Sequence, residues 1–300
     1  MALSAVLLEL RQFGGVILSK IGLIVEGGGM RGIYGCGVLD AFLENSISFP
    51  YGIGVSAGAA NLASFIAEQE GRNYRFYTSY AFDERYMSFK NYITTGSFFG
   101  MDYIYSELTE YVDPINFEKL INSKTEYYVV AVDAQTSKPV YFNKEDVRKH
   151  RGDVFKASCS IPAMCQPIEI DGKLYFDGGV SDSIPVRRAL EDGCDKVVAV
   201  LTRPRGYVKK PEMGKTIYSE ILKDYPAIIK AMNVRHYVYN KTLENLFELE
   251  KQGKAFIFCP EKSEKVSIIS RNKEELVTLY NEGKVSAELQ MEKLKAFMNE

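Results

Sequence analysis

Between residues 21 and 68 the sequence alternates short apolar runs with helical patterns, and glycines mark the turns between them. The run at residues 21–26 has the length and composition of a strand that is buried on both faces of a parallel sheet. Residues 38–44 and 57–68 show helical patterns, and residues 51–55 form a second predicted strand. This strand-helix-strand-helix order predicts an α/β fold with a mostly parallel sheet.

Later apolar runs predict further strands at residues 126–132, 139–143, 167–170, 174–177 and 196–202. The dipeptide Asp171-Gly172 is typical of a tight hairpin turn. After about residue 203 the pattern changes to long helical periodicities, and no Gly/Ser-rich linker precedes them. We therefore predict an N-terminal extension at residues 1–20, a main domain at residues 21–203, and a helical C-terminal extension at residues 204–300 that packs on it.

The composition excludes several classes of protein. Of the 300 residues, 46% are hydrophobic and 25% are charged, which is typical of a globular protein and excludes a disordered chain. The 37 Lys and Arg residues nearly balance the 39 Asp and Glu residues, so no global positive field favours nucleic acid as a partner. The five cysteines lack paired spacing, so we predict neither a disulfide framework nor a zinc site.

Two apolar segments resemble export or membrane signals only superficially. The N-terminal stretch has no basic residue before its apolar part and contains Glu9, so it is a poor secretory signal. The uncharged run at residues 45–67 contains Pro50 and several glycines, which indicates buried α/β core rather than a membrane span. Together with the cysteine usage, this predicts a cytoplasmic location, where any contact with a membrane is peripheral.

Ser56 lies in the pattern Gly54-Val55-Ser56-Ala57-Gly58, between a predicted strand and a predicted helix. A serine on such a sharp turn has a strained backbone, and Gly54 and Gly58 let the strand and the helix approach closely. The turn exposes the serine hydroxyl, so Ser56 is a candidate nucleophile. The pattern also occurs by chance, and the alternative is a small residue in a buried turn.

Three consecutive glycines, Gly27, Gly28 and Gly29, follow the first predicted strand. Such a run lets backbone N–H groups converge on an anion, which in an acyl hydrolase forms an oxyanion hole. The alternative is a dinucleotide site, because Gly27, Gly29 and Gly32 also satisfy G-x-G-x-x-G. That site requires an acidic residue at the end of the second strand, where this sequence has Ser56.

Asp177 ends a predicted strand and is followed by Gly178 and Gly179. A serine nucleophile needs a base, but His150 lies in a polar stretch and His236 lies beyond the predicted domain boundary, so neither fits a triad. An aspartate that acts directly on the serine is the alternative. It needs a dry pocket, because an ordinary Asp has a pKa of about 3.9. A turn-capping role is the other interpretation of Asp177.

In this order, Gly-Gly-Gly-Met-Arg-Gly from residue 27, Gly-Val-Ser-Ala-Gly from residue 54 and Asp-Gly-Gly from residue 177 resemble the patatin-like phospholipase family. The resemblance covers roughly residues 21–202, and the helical C-terminal extension is similar to that of a bacterial branch. The resemblance implies a three-layer α/β/α fold and a Ser56/Asp177 dyad. It also implies an oxyanion hole made by the amides of Gly27, Gly28 and Gly29, and hydrolysis of lipid acyl esters without a metal or another cofactor.

Three further features have two interpretations each. Arg31 either contacts substrate or forms an ion pair that braces the glycine loop. The 13 aromatic residues between residues 74 and 111 either pack a core or cap an acyl-chain groove. The basic stretch from Arg203 to Lys215 is either a solvated connection or a loop that attracts anionic head groups or, in transient contact, an anionic membrane surface.

These features together predict a serine acyl hydrolase of the phospholipase A or lysophospholipase type. Its substrates are lipid or lysolipid esters, in lipid catabolism or membrane lipid turnover. The residues predicted to line the site beside the dyad are Arg31, Gly54, Gly58, Gly178 and Gly179. The alternatives are a nucleotide-binding oxidoreductase that uses the glycine loop and a non-catalytic lipid-binding protein.

Overall fold

The structure of the protein, a computed structural model, describes residues 19–262 and 265–300. The predicted N-terminal extension therefore lies outside the described residues, except for its last two. Eight strands of the described residues form one sheet. They are β1 (Ile21–Val25), β2 (Tyr51–Val55), β3 (Glu126–Asp133), β4 (Pro139–Phe142), β5 (Ile168–Ile170), β6 (Lys173–Asp177), β7 (Lys196–Val200) and β8 (Ala255–Phe258).

The strand order in the sheet is β5-β6-β3-β2-β1-β7-β8, and β4 also pairs with β3. Strands β3, β2, β1, β7 and β8 run parallel to one another. Strands β4 and β6 are antiparallel to β3, and β5 is antiparallel to β6. The sheet is therefore mixed and mostly parallel, which confirms the predicted fold class.

Helices connect most of the strands, and the long ones lie in the C-terminal segment. The helices are α1 (Ile33–Glu44), α2 (Ala57–Ile66), α3 (Arg72–Thr78), α4 (Phe89–Thr95), α5 (Tyr103–Val112, in π-helical geometry), α6 (Phe117–Asn122), α7 (Lys144–His150), α8 (Gly152–Cys159), α9 (Val186–Glu191), α10 (Lys215–Ile221), α11 (Pro226–Lys251) and α12 (Lys273–Asn299). Within the described residues, none of them has the length and apolarity that a membrane crossing requires.

Successive apolar side chains of the central strands point to opposite faces of the sheet and belong to different hydrophobic cores. Leu23 and Val25 of β1 belong to one core, to which α1, α2, α8 and α12 contribute. Ile24 belongs to the other core, to which α9 and α11 contribute. Because neighbouring residues of a strand face opposite sides of a sheet, the helices cover both faces. This arrangement is the predicted three-layer α/β/α fold.

The C-terminal segment also contributes a strand to the sheet. Strand β8 pairs in parallel with β7, from Val197 with Ala255 to Val200 with Phe258. The helical periodicities after residue 203 predict helices alone and miss this strand. Its four residues are too few to show a period of their own, and the strand forms because it satisfies the backbone groups along one edge of β7.

Candidate active site

Ser56 lies at the turn between β2 and α2, with backbone dihedrals φ 55° and ψ −133°. Such a backbone costs a non-glycine residue on the order of 1–3 kcal/mol, so the surrounding structure must hold it. The Ser56 N–H donates a hydrogen bond to Ser158 Oγ (2.8 Å), and Ser158 Oγ donates to the Val130 carbonyl (2.6 Å). Ser158 therefore ties the strained turn to the neighbouring strand β3.

Two glycines allow α2 to lie close to the sheet at this turn, Gly54 against β2 and Gly58 against the end of β1. A Cβ atom on Gly54 would lie 2.5 Å from Ala59 Cα, and one on Gly58 would overlap the carbonyl oxygens of Val25 and Glu26. Neither glycine lines the cavity that contains the Ser56 side chain. Both glycines therefore allow close backbone packing behind the turn and do not face the cavity.

We expect the backbone strain at Ser56 to lower the free energy of unfolding by a measurable amount. Ser56→Gly should be about 1 kcal/mol more stable than Ser56→Ala, because glycine adopts a positive φ without the Cβ penalty. Chemical denaturation of the two variants measures the difference. Ser219 lies inside α10, where the backbone is helical. At this control position Ser219→Ala should be more stable than Ser219→Gly, which is the opposite order. Equal or reversed stabilities at residue 56 would show that the turn stores no strain.

Sheet register places Asp177 near Ser56. Val55 pairs with Val130 on β3, and Ala131 pairs with Asp177 at the end of β6. Asp177 and the residue before Ser56 therefore lie at nearly the same height, on either side of β3. The Ser56 and Asp177 side chains line one cavity, and the nearby Ser56 side chain opposes a rise in the pKa of Asp177.

The Asp177 carboxylate is only 7% exposed. Burial raises its pKa above the ordinary range, and the nearby Ser56 side chain, the positive charge of Arg235 and the Gly179 N–H oppose this rise. The Gly179 N–H donates to Asp177 Oδ1 at 2.8 Å. A Cβ atom on Gly178 would overlap the Val130 carbonyl, so the turn after Asp177 requires glycine there. A raised pKa improves a carboxylate as a proton acceptor.

The glycine loop after β1 presents its backbone to the same space. Gly29 has φ 54°, and the following Met30 N–H donates to the Ile268 carbonyl (3.2 Å). Among the described residues, no acceptor takes a hydrogen bond from the N–H of Gly27, Gly28 or Gly29. These three amides are therefore available to an anionic oxygen.

One cavity of about 340 Å³ brings most of the predicted site residues together. Its lining includes Ser56, Asp177, Gly27, Gly28, Gly29, Arg31 and Gly179. Gly54, Gly58 and Gly178 do not line it, and neither do His150 and His236. No group of His, Cys, Asp and Glu side chains within residues 19–262 and 265–300 is arranged to hold a metal ion. The role of each residue and the metal-free mechanism stay predictions.

The C-terminal segment supplies lining residues that sequence patterns did not identify as part of the site. They are Tyr207, Lys209, Glu212, Arg235, Tyr239, Ser267 and Ile268, next to Thr202 and Arg203 at the end of β7. The basic stretch that begins at Arg203 is the visible signal, but from the sequence it is interpreted either as a solvated connection or as a loop that attracts anionic head groups or an anionic membrane surface. Arg235 and Tyr239 are one helical turn apart on α11, a spacing that helical residues of any function share.

An apolar cavity of about 40 Å³ adjoins the first at Ser56. Its lining includes Met30, Tyr77, Tyr86, Phe99, Met101, Ile104 and Tyr105. A further apolar cavity of about 40 Å³ continues from it and shares Tyr77, Tyr86, Ile104 and Tyr105. The aromatic segment at residues 74–111 thus packs into the core and also lines apolar space beside Ser56. The two interpretations of this segment are compatible.

An α/β/α fold that carries a strained serine between a central strand and the following helix defines a class of three-layer α/β proteins. The model of the patatin-like phospholipase family matches residues 23–190, more than half of the chain. This protein therefore belongs to the patatin-like phospholipase family. A second model, a domain of unknown function (DUF6363), matches residues 225–299.

Curated relatives share the same part of the chain. Protein YjjU of Escherichia coli is 31% identical over 201 residues, which cover 65% of this chain and 56% of that protein. An NTE family protein of Mycobacterium tuberculosis is 25% identical over 181 residues, 60% of this chain and 48% of that protein. Lysophospholipase nte1 of Aspergillus oryzae is 26% identical over 186 residues, 60% of this chain and 12% of that protein. The chain thus spans about half the length of these relatives, or less.

Proposed function

We propose that this protein is a serine acyl hydrolase that cleaves lipid or lysolipid esters, of the phospholipase A or lysophospholipase type. The observation that carries the proposal is the Ser56 hydroxyl, which lies on a strained turn beside the buried Asp177 carboxylate and the free amides of the glycine loop. Family membership and a lysophospholipase among the relatives support it. Its place in metabolism is lipid catabolism or membrane lipid turnover.

In the proposed cycle, Asp177 accepts the Ser56 hydroxyl proton as Ser56 Oγ attacks the ester carbonyl. The amides of Gly27, Gly28 and Gly29 donate hydrogen bonds to the oxyanion. The bond between the carbonyl carbon and the alcohol oxygen then breaks, and the alcohol leaves with the proton from Asp177. Water, deprotonated by Asp177, releases the carboxylic acid and restores Ser56.

The acyl chain is proposed to enter the apolar cavities beside Ser56. Their aromatic and aliphatic lining suits a hydrocarbon chain, whereas several charged side chains line the larger cavity. Each apolar cavity holds about 40 Å³, far less than the 340 Å³ of the larger cavity. A long acyl chain therefore requires the aromatic side chains to move.

A fluorophosphonate probe tests whether Ser56 is a nucleophile. We expect stoichiometric labelling of the wild-type protein, with the added mass on the peptide that contains Ser56, and no labelling of Ser56→Ala. The wild-type protein should also release fatty acid from defined lysolipids. Absence of labelling and of fatty-acid release would favour the non-catalytic lipid-binding alternative. Dehydrogenase turnover with NAD or NADP would favour the oxidoreductase.

Peripheral contact with an anionic membrane is proposed through the loop after β7 and the start of α10. Arg205 is paired with Glu250 (2.6 Å), and Lys209 is paired with Glu212 (3.1 Å), so neither is free for lipid. The cationic and large apolar side chains that remain exposed are Lys210, Lys215, Val208, Met213 and Ile217. This mixture of cationic and apolar side chains suits an interface. Faster release from anionic than from zwitterionic vesicles, with the difference lost at high salt, is the expected result.

The proposed location is the cytoplasm. All five cysteines are free, and four of them are buried, which suits a reducing compartment. Fractionation of the native host should then recover the protein with the cytoplasm or loosely bound to its membrane, and recovery from the extracellular medium would contradict the proposal.

A further inference from the structure

The C-terminal segment contributes a cation to the wall of the cavity that contains Asp177. Arg235 lies on α11, within residues 225–299, which the model of the domain of unknown function matches. It lies beyond residues 23–190, which the patatin-like model matches. Arg235 lines the same cavity as Ser56 and Asp177. A charge from outside the family domain therefore faces the cavity of the proposed base.

Gly179 allows Arg235 and Asp177 to approach each other. A Cβ atom on Gly179 would lie 3.0 Å from Asp177 Oδ1 and 3.1 Å from Arg235 Nη2. Both atoms are therefore near the same point above the Gly179 backbone. The Gly179 N–H also donates to Asp177 Oδ1 (2.8 Å). Because Gly179 has no side chain, nothing from this residue separates the guanidinium group from the carboxylate.

The ion pairs around Arg235 leave a positive charge unbalanced. Glu212 pairs with Arg235 (3.2 Å) and with Lys209 (3.1 Å), so one carboxylate is shared by two cations. Arg235 donates to Glu212 through Nη1, and its buried Nε atom has no hydrogen-bond partner among the described residues. The Nη2 atom is the one that lies beside Asp177. Asp177 therefore supplies the negative charge that balances the second cation.

The titratable groups around Asp177 differ in charge. The Cys159 and Cys165 thiols are buried, and burial raises the pKa of both. Both thiols are therefore neutral near pH 7. The positive charge of Arg235 opposes the rise that burial causes in the pKa of Asp177. The other charged residues that line the cavity are Glu26, Arg31, Arg203, Lys209 and Glu212.

We propose that Arg235 is a positioning residue for the base: its guanidinium group keeps Asp177 ionised near neutral pH, so that the C-terminal segment controls the activity of the family domain. A carboxylate that is buried alone takes up a proton more readily, whereas an opposite charge within about 4–6 Å favours the ionised form. The consequence for turnover rests on the proposed hydrolase function. The effect on the ionisation of Asp177 does not.

The pH dependence of kcat/KM on a soluble p-nitrophenyl ester tests this role. Arg235→Gln removes the charge, so the limb that reports ionisation of Asp177 should move up by about one pH unit or more. On that limb kcat/KM then falls about tenfold, whereas the rates at the high-pH plateau should be similar. Arg235→Lys keeps a positive charge and should restore most of the shift. A limb that stays at the wild-type position in Arg235→Gln would overturn the proposal.

Glu212→Gln separates the charge of Arg235 from its ion pair. This variant breaks the pair but leaves Arg235 and Lys209 charged, so the limb should lie at or below its wild-type position. If the ion pair acted only by holding the structure, both variants would move the limb upward, and that result would also overturn the proposal. The matched control is Lys241→Gln, an exposed cation on α11 that does not line the cavity. Its limb should coincide with that of the wild-type protein.

Carbon-13 NMR of the aspartate carboxyl carbons measures the ionisation of Asp177 without turnover, and Asp177→Asn assigns its signal. The signal should titrate about one pH unit higher in Arg235→Gln than in the wild-type protein. Ester hydrolysis with an unchanged titration contradicts the role of Arg235 and leaves the hydrolase function standing. A shifted titration in a protein that hydrolyses no ester contradicts the hydrolase function and leaves the effect of Arg235 on Asp177 standing.

Discussion

Replacing Asp177 with Asn is expected to lower kcat/KM by about 10⁴-fold or more, because the side chain then cannot accept the Ser56 proton. Ser56→Ala should have a similar effect, and the double variant should be no slower than either single variant, since the two residues act as one unit. EDTA should leave the turnover of the wild-type protein unchanged. Initial rates on a soluble p-nitrophenyl ester and on a lysolipid provide the measurement.

Asp182 is the matched control for this substitution. It is a second aspartate whose pKa burial raises, and it accepts a hydrogen bond from the Tyr141 hydroxyl (2.7 Å) outside the cavity. Asp182→Asn should keep near wild-type turnover. If Asp177→Asn also kept it, Asp177 would not be the base.

The raised pKa of Asp177 predicts two pH-dependent results, one for activity and one for stability. The base must be ionised, so kcat/KM should rise with pH along a limb that lies above the usual aspartate pKa of about 3.9. Folding favours the protonated form of a group whose pKa is raised in the native state. The charged carboxylate therefore costs stability above its native pKa, and Asp177→Asn should unfold at a higher temperature than the wild-type protein near neutral pH. The difference should shrink as the pH falls towards 4.

Local sequence features were sufficient to locate the sharp turn at Ser56 and the glycine loop after β1. Steric demands act over a few residues: no Cβ atom fits at Gly54 or Gly58, and strand β2 has the predicted bounds. The proximity of Ser56 and Asp177 has a different origin, because it depends on the pairing of β3 with both β2 and β6. A single sequence contains no signal for that register, and the resemblance to a family supplied it.

Sequence patterns fail to predict which charged residues line the cavity beside Ser56. Arg203 was visible as part of a basic stretch, but charge along the chain does not reveal whether a loop faces solvent or a cavity. Arg205, two residues later, forms an ion pair with Glu250 instead. Arg203 and Arg205 have different surroundings because Tyr207 packs on Tyr239 of α11. The sequence does not predict this tertiary contact.

The C-terminal segment is proposed to be part of the folding unit rather than an accessory to it. Helix α12 lies so close to α1 that a Cβ atom on Gly283 would overlap the Tyr34 carbonyl, and one on Gly37 would overlap the Tyr280 carbonyl. The Tyr280 hydroxyl donates to Asp40 (2.8 Å) in the same interface. These contacts bury one face of α1 beneath the C-terminal helix.

Deletion of residues 204–300 is therefore expected to abolish folding. It would expose the buried side chains of α1 and leave one edge of β7 unpaired, which is a template for aggregation. Each large apolar side chain that loses its burial costs about 1.5–3 kcal/mol, and a domain is stable by only about 5–15 kcal/mol. We expect residues 1–203 to be insoluble when expressed alone, and co-expression of residues 204–300 to restore soluble protein.

A single substitution isolates the helix contact from the loss of β8. Gly283→Val places a side chain against the α1 backbone and should destabilise the full chain by several kcal/mol, as overpacking against backbone does. Val285→Ala, at a half-exposed site on the same helix, should change stability by less than about 1 kcal/mol. A soluble 1–203 fragment with cooperative unfolding would show that the main domain folds alone. In that case the C-terminal segment would serve only the cavity that it lines, through Lys209 and Arg235.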